Sequence, residues 1–285
     1  MATAGGKKTV GVIGAGMVGV TAASFLLRKG HDVVLLDPGN PGEGTSFGNA
    51  GCFNGSSVVP MSMPGVIRNV PKWLADPLGP LVVRLSYLPT VAPWLFRFVR
   101  AGTPEKVAHQ ARVLRTLLDH GIETLAPLVQ DAGAQDLVQR LGHLFVYRPN
   151  LARDYVNGVL VHENGHTTNP HRLVNSLASA FQRNGGRIDR KRAVGFDVLD
   201  GRLRAIRSDD GPLSVDAAVI AAGIWSKPLA VELGDRIPLE TERAQSSRSN
   251  NAESCAGDRR ITPSAIAGQQ NFAPSNRLVR RHSPV

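Results

Sequence analysis

The sequence predicts a mixed α/β fold, with a parallel sheet at its start and antiparallel strands further on. Three observations predict it. Val10 to Asp37 reads as strand, glycine turn, helix and strand. Pro170 to Phe181 repeats its apolar residues at helical spacing, and Ala218 to Ala222 is an apolar run of strand length. Between them, Arg187 to Ala217 forms short segments broken at Asp200-Gly201 and Asp210-Gly211, as antiparallel hairpins require.

The first stretch carries the chemistry. Val10, Val12 and Ile13 are a β-branched run suited to a strand buried on both faces. Gly14, Gly16 and Gly19 then give G-x-G-x-x-G where that strand stops. The first glycine permits a tight turn, the second lets backbone approach a pyrophosphate, and the third lets the helix pack closely on the strand. Val18, Ala22, Phe25 and Leu26 are the expected packing face of the helix. Arg28, Lys29 and Gly30 suit its C-terminus. Val33 to Leu36 is the second strand, and Asp37 ends it where a carboxylate accepts the hydroxyls of an adenosine ribose. No Arg or Lys follows Asp37 closely, which disfavours a 2′-phosphate.

The next segment, PGNPGEGTSFGNAGC, is a loop rich in Gly, Pro and Asn. Thr45, Ser46, Asn49, Ala50 and Gly51 offer hydroxyl, amide and backbone donors, either to further phosphate or ribitol or simply to solvent. Val58 to Gly102 is Pro-rich, then apolar, and Arg84, Pro89 and Pro93 interrupt it, so it is not a membrane span. Short helices packing on a substrate domain account for it. A membrane-interface reading rests on Trp94, Leu95, Phe96 and Phe98 beside Arg97 and Arg100. Thr103 to Gly133 predicts a helix pair with Val107, Ala111, Leu114, Leu117 and Leu118 on one face. His109 and His120 are too isolated for a metal site, and none is expected. Leu141 to Tyr147 alternates as a strand. Tyr147 and Arg148 at its end contact a substrate carboxylate if the strand borders a ligand cavity, and are otherwise a surface pair. Asn169 caps the later helix, Pro170 opens it, and Leu173, Val174, Leu177, Ala178 and Phe181 form its face.

With 285 residues the chain can hold one large or two modest domains. Its apolar content of 42% suits a soluble globular protein. The net charge of +10 is spread along the chain, aromatics are only 5%, and no nucleic-acid recognition motif appears, so no nucleic-acid partner is expected. Cys52 and Cys255 stand far apart in unlike contexts, which points to a reducing compartment without a disulfide framework. No export signal is read before Val10, so the expected location is cytoplasmic, with contact at the inner membrane face left open.

The ordered set of G-x-G-x-x-G with a strand-end acid, TSFGNAG, TTNPHRLVNSLA, VIAAGIWS and IPLETER resembles FAD-dependent D-amino acid dehydrogenases. The wider group includes glycine oxidase and sarcosine oxidase. The resemblance covers roughly Val10 to Arg243. It implies a Rossmann-like FAD-binding domain with a parallel sheet, interleaved with an antiparallel substrate domain that is incomplete here. Residues 1–57 and 161–234 would form the FAD-binding part, 58–160 a substrate segment, and 235–243 the start of the substrate sheet. Gly14 to Gly19, with Ala15, Met17 and Val18 between the glycines, would face the pyrophosphate, and Asp37 would hold the ribose. Thr45, Ser46, Asn49, Ala50 and Gly51 would line the path to the isoalloxazine, and Val194 would meet adenine through its backbone. Ala222 and Gly223 would close over the dinucleotide, with Trp225 nearby. The implied chemistry is oxidation of a D-amino acid at its CH–NH2 group to a 2-oxo acid and ammonia, by hydride transfer to the flavin. The electron acceptor, quinone or oxygen, stays open, and no catalytic residue is assigned. An NAD-dependent oxidoreductase and a non-catalytic basic binding fragment are the competing readings.

From residue 244 the sequence departs from that pattern. Ser, Asn, Arg, Gln and Pro dominate and no apolar period is sustained. The expectation is a disordered, frame-shifted tail, a weakly folded protein and poor flavin retention, with Leu81, Phe96 and Leu144 losing partners.

Overall fold

The computed structural model describes residues 6–75, 88–147, 157–237, 239 and 278–279. In chain order, its elements begin with β1 (Thr9–Ile13), α1 (Met17–Arg28), β2 (Asp32–Leu36) and β3 (Cys52–Phe53). The helices α2 (Val66–Ala75), α3 (Leu88–Ala101), α4 (Pro104–Leu118) and α5 (Gly121–Asp131) follow. Next come β4 (Val138–Gln139), β5 (His143–Tyr147), β6 (Asn157–Val161), β7 (Gly165–Thr167) and α6 (Pro170–Arg183). The last elements are β8 (Arg187–Asp189), β9 (Ala193–Leu199), β10 (Arg202–Ser208), β11 (Gly211–Ser214), β12 (Ala217–Ile220), α7 (Ser226–Glu232) and β13 (Leu278–Val279). The chain divides into two compact units.

The first unit comprises Met1–Cys52, Ile122–Gln139 and His166–Ala244. Its centre is a four-stranded sheet of order β12-β1-β2-β8. β1 runs parallel to β12 and β2, and β2 parallel to β8. Val12, Leu35 and Leu36 are fully buried in it, as a doubly covered sheet demands. α6 buries the five apolar residues predicted for its face, and its Asn169 side chain accepts the Arg172 amide at 3.0 Å. A meander of β11-β10-β9 covers the sheet, with Phe196, Ile206 and Val215 packed against Ile13, Val34 and Leu36. The β9–β10 turn has both Asp200 and Gly201 at positive φ, as a type I′ turn requires.

Several expectations need correction. The buried stripe of α1 is Gly19, Val20, Ala23 and Ser24, whereas Val18 is 69% exposed. The close approach at Gly19 sets the rotation of the helix, and apolar residues on both flanks hid that phase from the sequence. Arg187–Asp189 is a parallel strand on β2 rather than part of the meander. The strand after the meander, β12, spans Ala217–Ile220 and is half-buried, because among the described residues it pairs only with β1.

The second unit comprises Phe53–Gly121, Arg140–Gly165 and Gln245–Val285. β5 and β6 pair antiparallel, and β13 adds to β6. Asn164 is fully buried and exchanges hydrogen bonds with Ser56. α3 runs through Pro93, which sequence reading took as an interruption. Trp94 stacks on Phe98 with ring centroids 5.1 Å apart. α4 has no buried residue, and Leu117, placed on its packing face by periodicity, is exposed. Phe96 and Leu144 are exposed as expected. Leu81, Arg148 and, apart from Leu278–Val279, residues 244–285 lie outside the described residues. No described helix is long and apolar enough to cross a membrane.

Candidate dinucleotide site

The site forms at the C-terminal ends of β1, β2 and β12, where an α/β sheet leaves its crevice. The Gly14 amide donates to the Leu36 carbonyl at 2.8 Å, and the Ala221 amide to the Ile13 carbonyl at 2.8 Å. These two bonds hold the glycine turn between its neighbouring strands. Gly14 has a φ of 107°, and a Cβ there would stand 2.5 Å from the Ala221 carbonyl oxygen. A Cβ at Gly19 would overlap the Gly14 carbonyl. At Gly16 a Cβ would meet only the Ser46 hydroxyl, at 3.1 Å. The first and third glycines are therefore demanded by the fold, while the second keeps a space open at the surface.

Gly16 is the N-cap of α1 and gives it no side-chain cap. Ser46 caps it instead, accepting the Met17 amide at 3.0 Å. Val20 is the first amide to close a helical bond, to Gly16 at 3.0 Å, so the Val18 and Gly19 amides are left without helical partners. The first turn carries no acidic residue. Such a helix start attracts an anion through its free amides and macrodipole.

Asp37 ends β2 and faces this turn. Its carboxylate accepts the Ala15 amide at 2.7 Å and the Gly39 amide at 2.8 Å. The loop from residue 38 to residue 51 is anchored at both ends. The Gly42 amide donates to the Ala15 carbonyl at 2.9 Å, and the Thr167 amide to the Gly51 carbonyl at 2.7 Å. Asn49 accepts the Gly51 amide at 2.8 Å through its side chain. Gly51 has a φ of 66°, and a Cβ there would lie 2.6 Å from the Thr167 carbonyl oxygen. Hydrogen bonds from Asn40, then the charges of Arg190 and His171, hold the exposed Glu43 carboxyl below its ordinary range. Phe47 meets the His171 ring edge-on at 5.0 Å.

The structure thus brings Gly14, Ala15, Gly16, Met17, Val18, Gly19, Asp37, Ser46 and Ala222 to one crevice. Ala222 arrives because its Cα abuts Gly14, 2.8 Å from where a Cβ would be. Gly223, at a φ of 55°, and the exposed Trp225 follow it on a single turn of 3-10 helix. Thr45, Asn49 and Ala50 are exposed along the loop. Val194 lies exposed on β9. Tyr147 ends β5 in the second unit. No group of three or more His, Cys, Asp or Glu residues among the described residues is placed to hold a metal. The sequence did not reveal that Ser46 caps α1 or that Asp37 pins Ala15. The Thr-Ser pair after a Gly-rich loop was the only signal for the first.

The sequence pattern of FAD dependent oxidoreductases matches residues 9–273. The chain belongs to that family. A D-amino-acid oxidase of Bradyrhizobium diazoefficiens is 37% identical over 270 residues, covering 82% of this chain and 64% of that protein. A D-amino acid dehydrogenase of Phenylobacterium zucineum is 30% identical over 258 residues, covering 76% and 60%. A solved glycine oxidase from Geobacillus kaustophilus aligns with a TM-score of 0.44 and 19% identity, covering 80% and 58%. The chain spans less than two thirds of each of these proteins.

The crevice fits the cofactor of the FAD-dependent family. The Val18 and Gly19 amides and the Ser46 hydroxyl are a donor set for a pyrophosphate, and Gly16 leaves room for it to approach. Each Asp37 oxygen accepts one backbone amide and keeps lone pairs for ribose hydroxyls.

Proposed function

We propose that this chain carries the cofactor-binding part of an FAD-dependent enzyme that oxidises D-amino acids. The observation that carries the reading is the convergence of the Gly14 turn, the Asp37 carboxylate and the Ser46 hydroxyl at the start of α1. The relatives named D-amino-acid oxidase and D-amino acid dehydrogenase support the substrate class. The first unit is the FAD-binding domain, and the second contributes to the substrate side.

When bound, FAD supplies a two-electron acceptor. The conversion this would support is oxidation of the CH–NH2 group to an imine, which water would hydrolyse to a 2-oxo acid and ammonia. The residues of the chain bind and orient. The Val18 and Gly19 amides would donate to phosphate oxygens, and Ser46 would donate its hydroxyl hydrogen to another while its oxygen goes on accepting the Met17 amide. Asp37 receives ribose hydroxyls while keeping the Ala15 amide. Thr45, Asn49, Ala50 and Gly51 continue the path toward the isoalloxazine, with Val194 at the adenine end and Ala222, Gly223 and Trp225 closing the crevice. Tyr147 and Arg148 are the proposed contacts for a substrate carboxylate, and quinone or oxygen is the electron acceptor. Contact with an anionic membrane surface rests on α3, where Trp94, Phe96 and Val99 are exposed and Arg100 lies 5.6 Å over the Phe96 ring.

The test is the visible spectrum of the purified protein with and without added FAD, then with a D-amino acid under anaerobic conditions. A flavin spectrum that bleaches with the D-amino acid supports the reading. A protein that binds NAD and leaves FAD free overturns it.

A further inference from the structure

The sequence has no cation close after Asp37, yet the fold brings one there. β8 lies beside β2, with Asp189 in register with Leu36, and the Asp189 carbonyl accepts the Asp37 amide at 3.2 Å. Arg190 comes next and is exposed, so an arginine from far along the chain stands at the ribose end of the crevice. Its neighbours have partners: Arg187 pairs with Asp189 at 3.1 Å, and Lys191 with Asp210 at 2.9 Å. Arg190 makes no such close ion pair among the described residues.

The loop after Asp37 supplies the opposing charge. Glu43 is exposed, and its carboxylate accepts the Asn40 amide at 3.0 Å and the Asn40 side-chain nitrogen at 2.7 Å. Besides these bonds, the charges of Arg190 and then His171 act on it. His171 is engaged elsewhere, with Asn175 at 2.9 Å and edge-on to Phe47. Glu43 also stands beside Asp37. A Cβ on Gly39 would lie 3.5 Å from Asp37 Oδ1 and 3.6 Å from Glu43 Oε2, so the two carboxylates flank one bare backbone position. A ribose seated on Asp37 would therefore meet a second carboxylate close by. A phosphate on its 2′ oxygen would bring nearly two more negative charges to that place. Arg190 is the group suited to receive them, because a guanidinium matches phosphate geometry. Glu43 opposes this twice, by attracting Arg190 and by repelling the phosphate.

We propose that Glu43 is a specificity-determining residue of the dinucleotide site, which offsets the charge of Arg190 beside the ribose and so keeps 2′-phosphorylated nucleotides out. This rests on the FAD reading above, in which Asp37 receives the ribose. FAD carries no 2′-phosphate on its adenosine and passes this filter.

The experiment uses the full chain and two probes that differ by one phosphate, ADP-ribose and 2′-phospho-ADP-ribose. Affinities are read by calorimetry at low ionic strength, where exposed charges are least screened. Wild-type protein should bind ADP-ribose at least roughly tenfold more tightly than its 2′-phosphorylated form. Glu43→Gln keeps an acceptor for Asn40 and removes the charge. It should tighten 2′-phospho-ADP-ribose by roughly three- to tenfold and leave ADP-ribose within about twofold of wild type. Adding Arg190→Gln to that variant should abolish the gain. Arg190→Glu breaks none of the loop's hydrogen bonds and keeps the question open to test if Glu43→Gln does not fold. It should weaken 2′-phospho-ADP-ribose by roughly threefold or more while ADP-ribose changes little. Unchanged discrimination in Glu43→Gln or in Arg190→Glu overturns the proposal. So does equal tightening of both probes, or a gain that survives the loss of Arg190. Wild-type protein that binds neither ADP-ribose nor FAD overturns this proposal and the FAD reading together, whereas unchanged discrimination in protein that binds FAD leaves the FAD reading standing.

Discussion

The Asp37 carboxylate accepts the Ala15 amide at 2.7 Å, across 22 residues of sequence. The acid at the end of β2 therefore fixes the glycine turn before any ribose arrives. Asp37→Ala removes this bond and the one from Gly39, both charge-assisted. The expected loss is about 2–3 kcal/mol in urea denaturation, with FAD affinity falling more than roughly tenfold. Asp37→Asn keeps one acceptor oxygen and should lose about half as much stability.

Gly19 and Gly16 should separate folding from binding. Alanine at Gly19 overlaps the Gly14 carbonyl, so helix and strand must part. We expect a loss of about 4 kcal/mol or more, seen as insoluble or unfolded protein by circular dichroism. Alanine at Gly16 meets only the Ser46 hydroxyl. That variant should melt within a few degrees of wild type and lose FAD binding, because on the proposed reading its methyl group would stand where the pyrophosphate approaches.

Ser46→Ala leaves the Met17 amide without its acceptor. Loss of a helix N-cap of this kind costs about 1 kcal/mol. The melting temperature should fall by that equivalent, and FAD titration should show a further loss, since the same hydroxyl is assigned to the phosphate.

Desolvation raises the Cys52 thiol above its ordinary pKa, although the residue is exposed. A raised thiol pKa means the fold favours the neutral form. That contribution to stability is fully present below the pKa of the unfolded thiol and is lost as pH rises through the folded value. In a Cys255→Ser background, alkylation by iodoacetamide should be slow at neutral pH. Its rate should still be climbing where a free peptide thiol has reached its plateau. A plateau at or below the free-thiol midpoint would refute this.

Much of the first unit was legible because its signals are local. The G-x-G-x-x-G turn, the strand-end Asp37, the Asn169 cap and the Asp200-Gly201 hairpin each depend on residues within a few positions of one another. What stayed hidden depends on contacts across the chain. The face of α1 follows from Gly19 meeting Gly14, and Val18 is as apolar as the residues that are buried. Asp189 joins β2 because its carbonyl accepts the Asp37 amide at 3.2 Å, which no pattern in Arg187–Asp189 announces. A Cβ on Gly195 would overlap Arg207 and Glu232, whose ion pair straps α7 to the meander. Composition names Arg207 and Glu232 only as two more surface charges.

Gly11 gives the molecule a gauge of thickness. It sits mid-strand in β1, and a Cβ there would overlap the end of Ile206 on the meander. Glycine at this position leaves room for the end of the Ile206 side chain against β1. Val194 lies on the same meander, on the strand paired with the one that carries Ile206. A methyl group at that point would act as a shim between β1 and the meander, pressing on the end of Ile206.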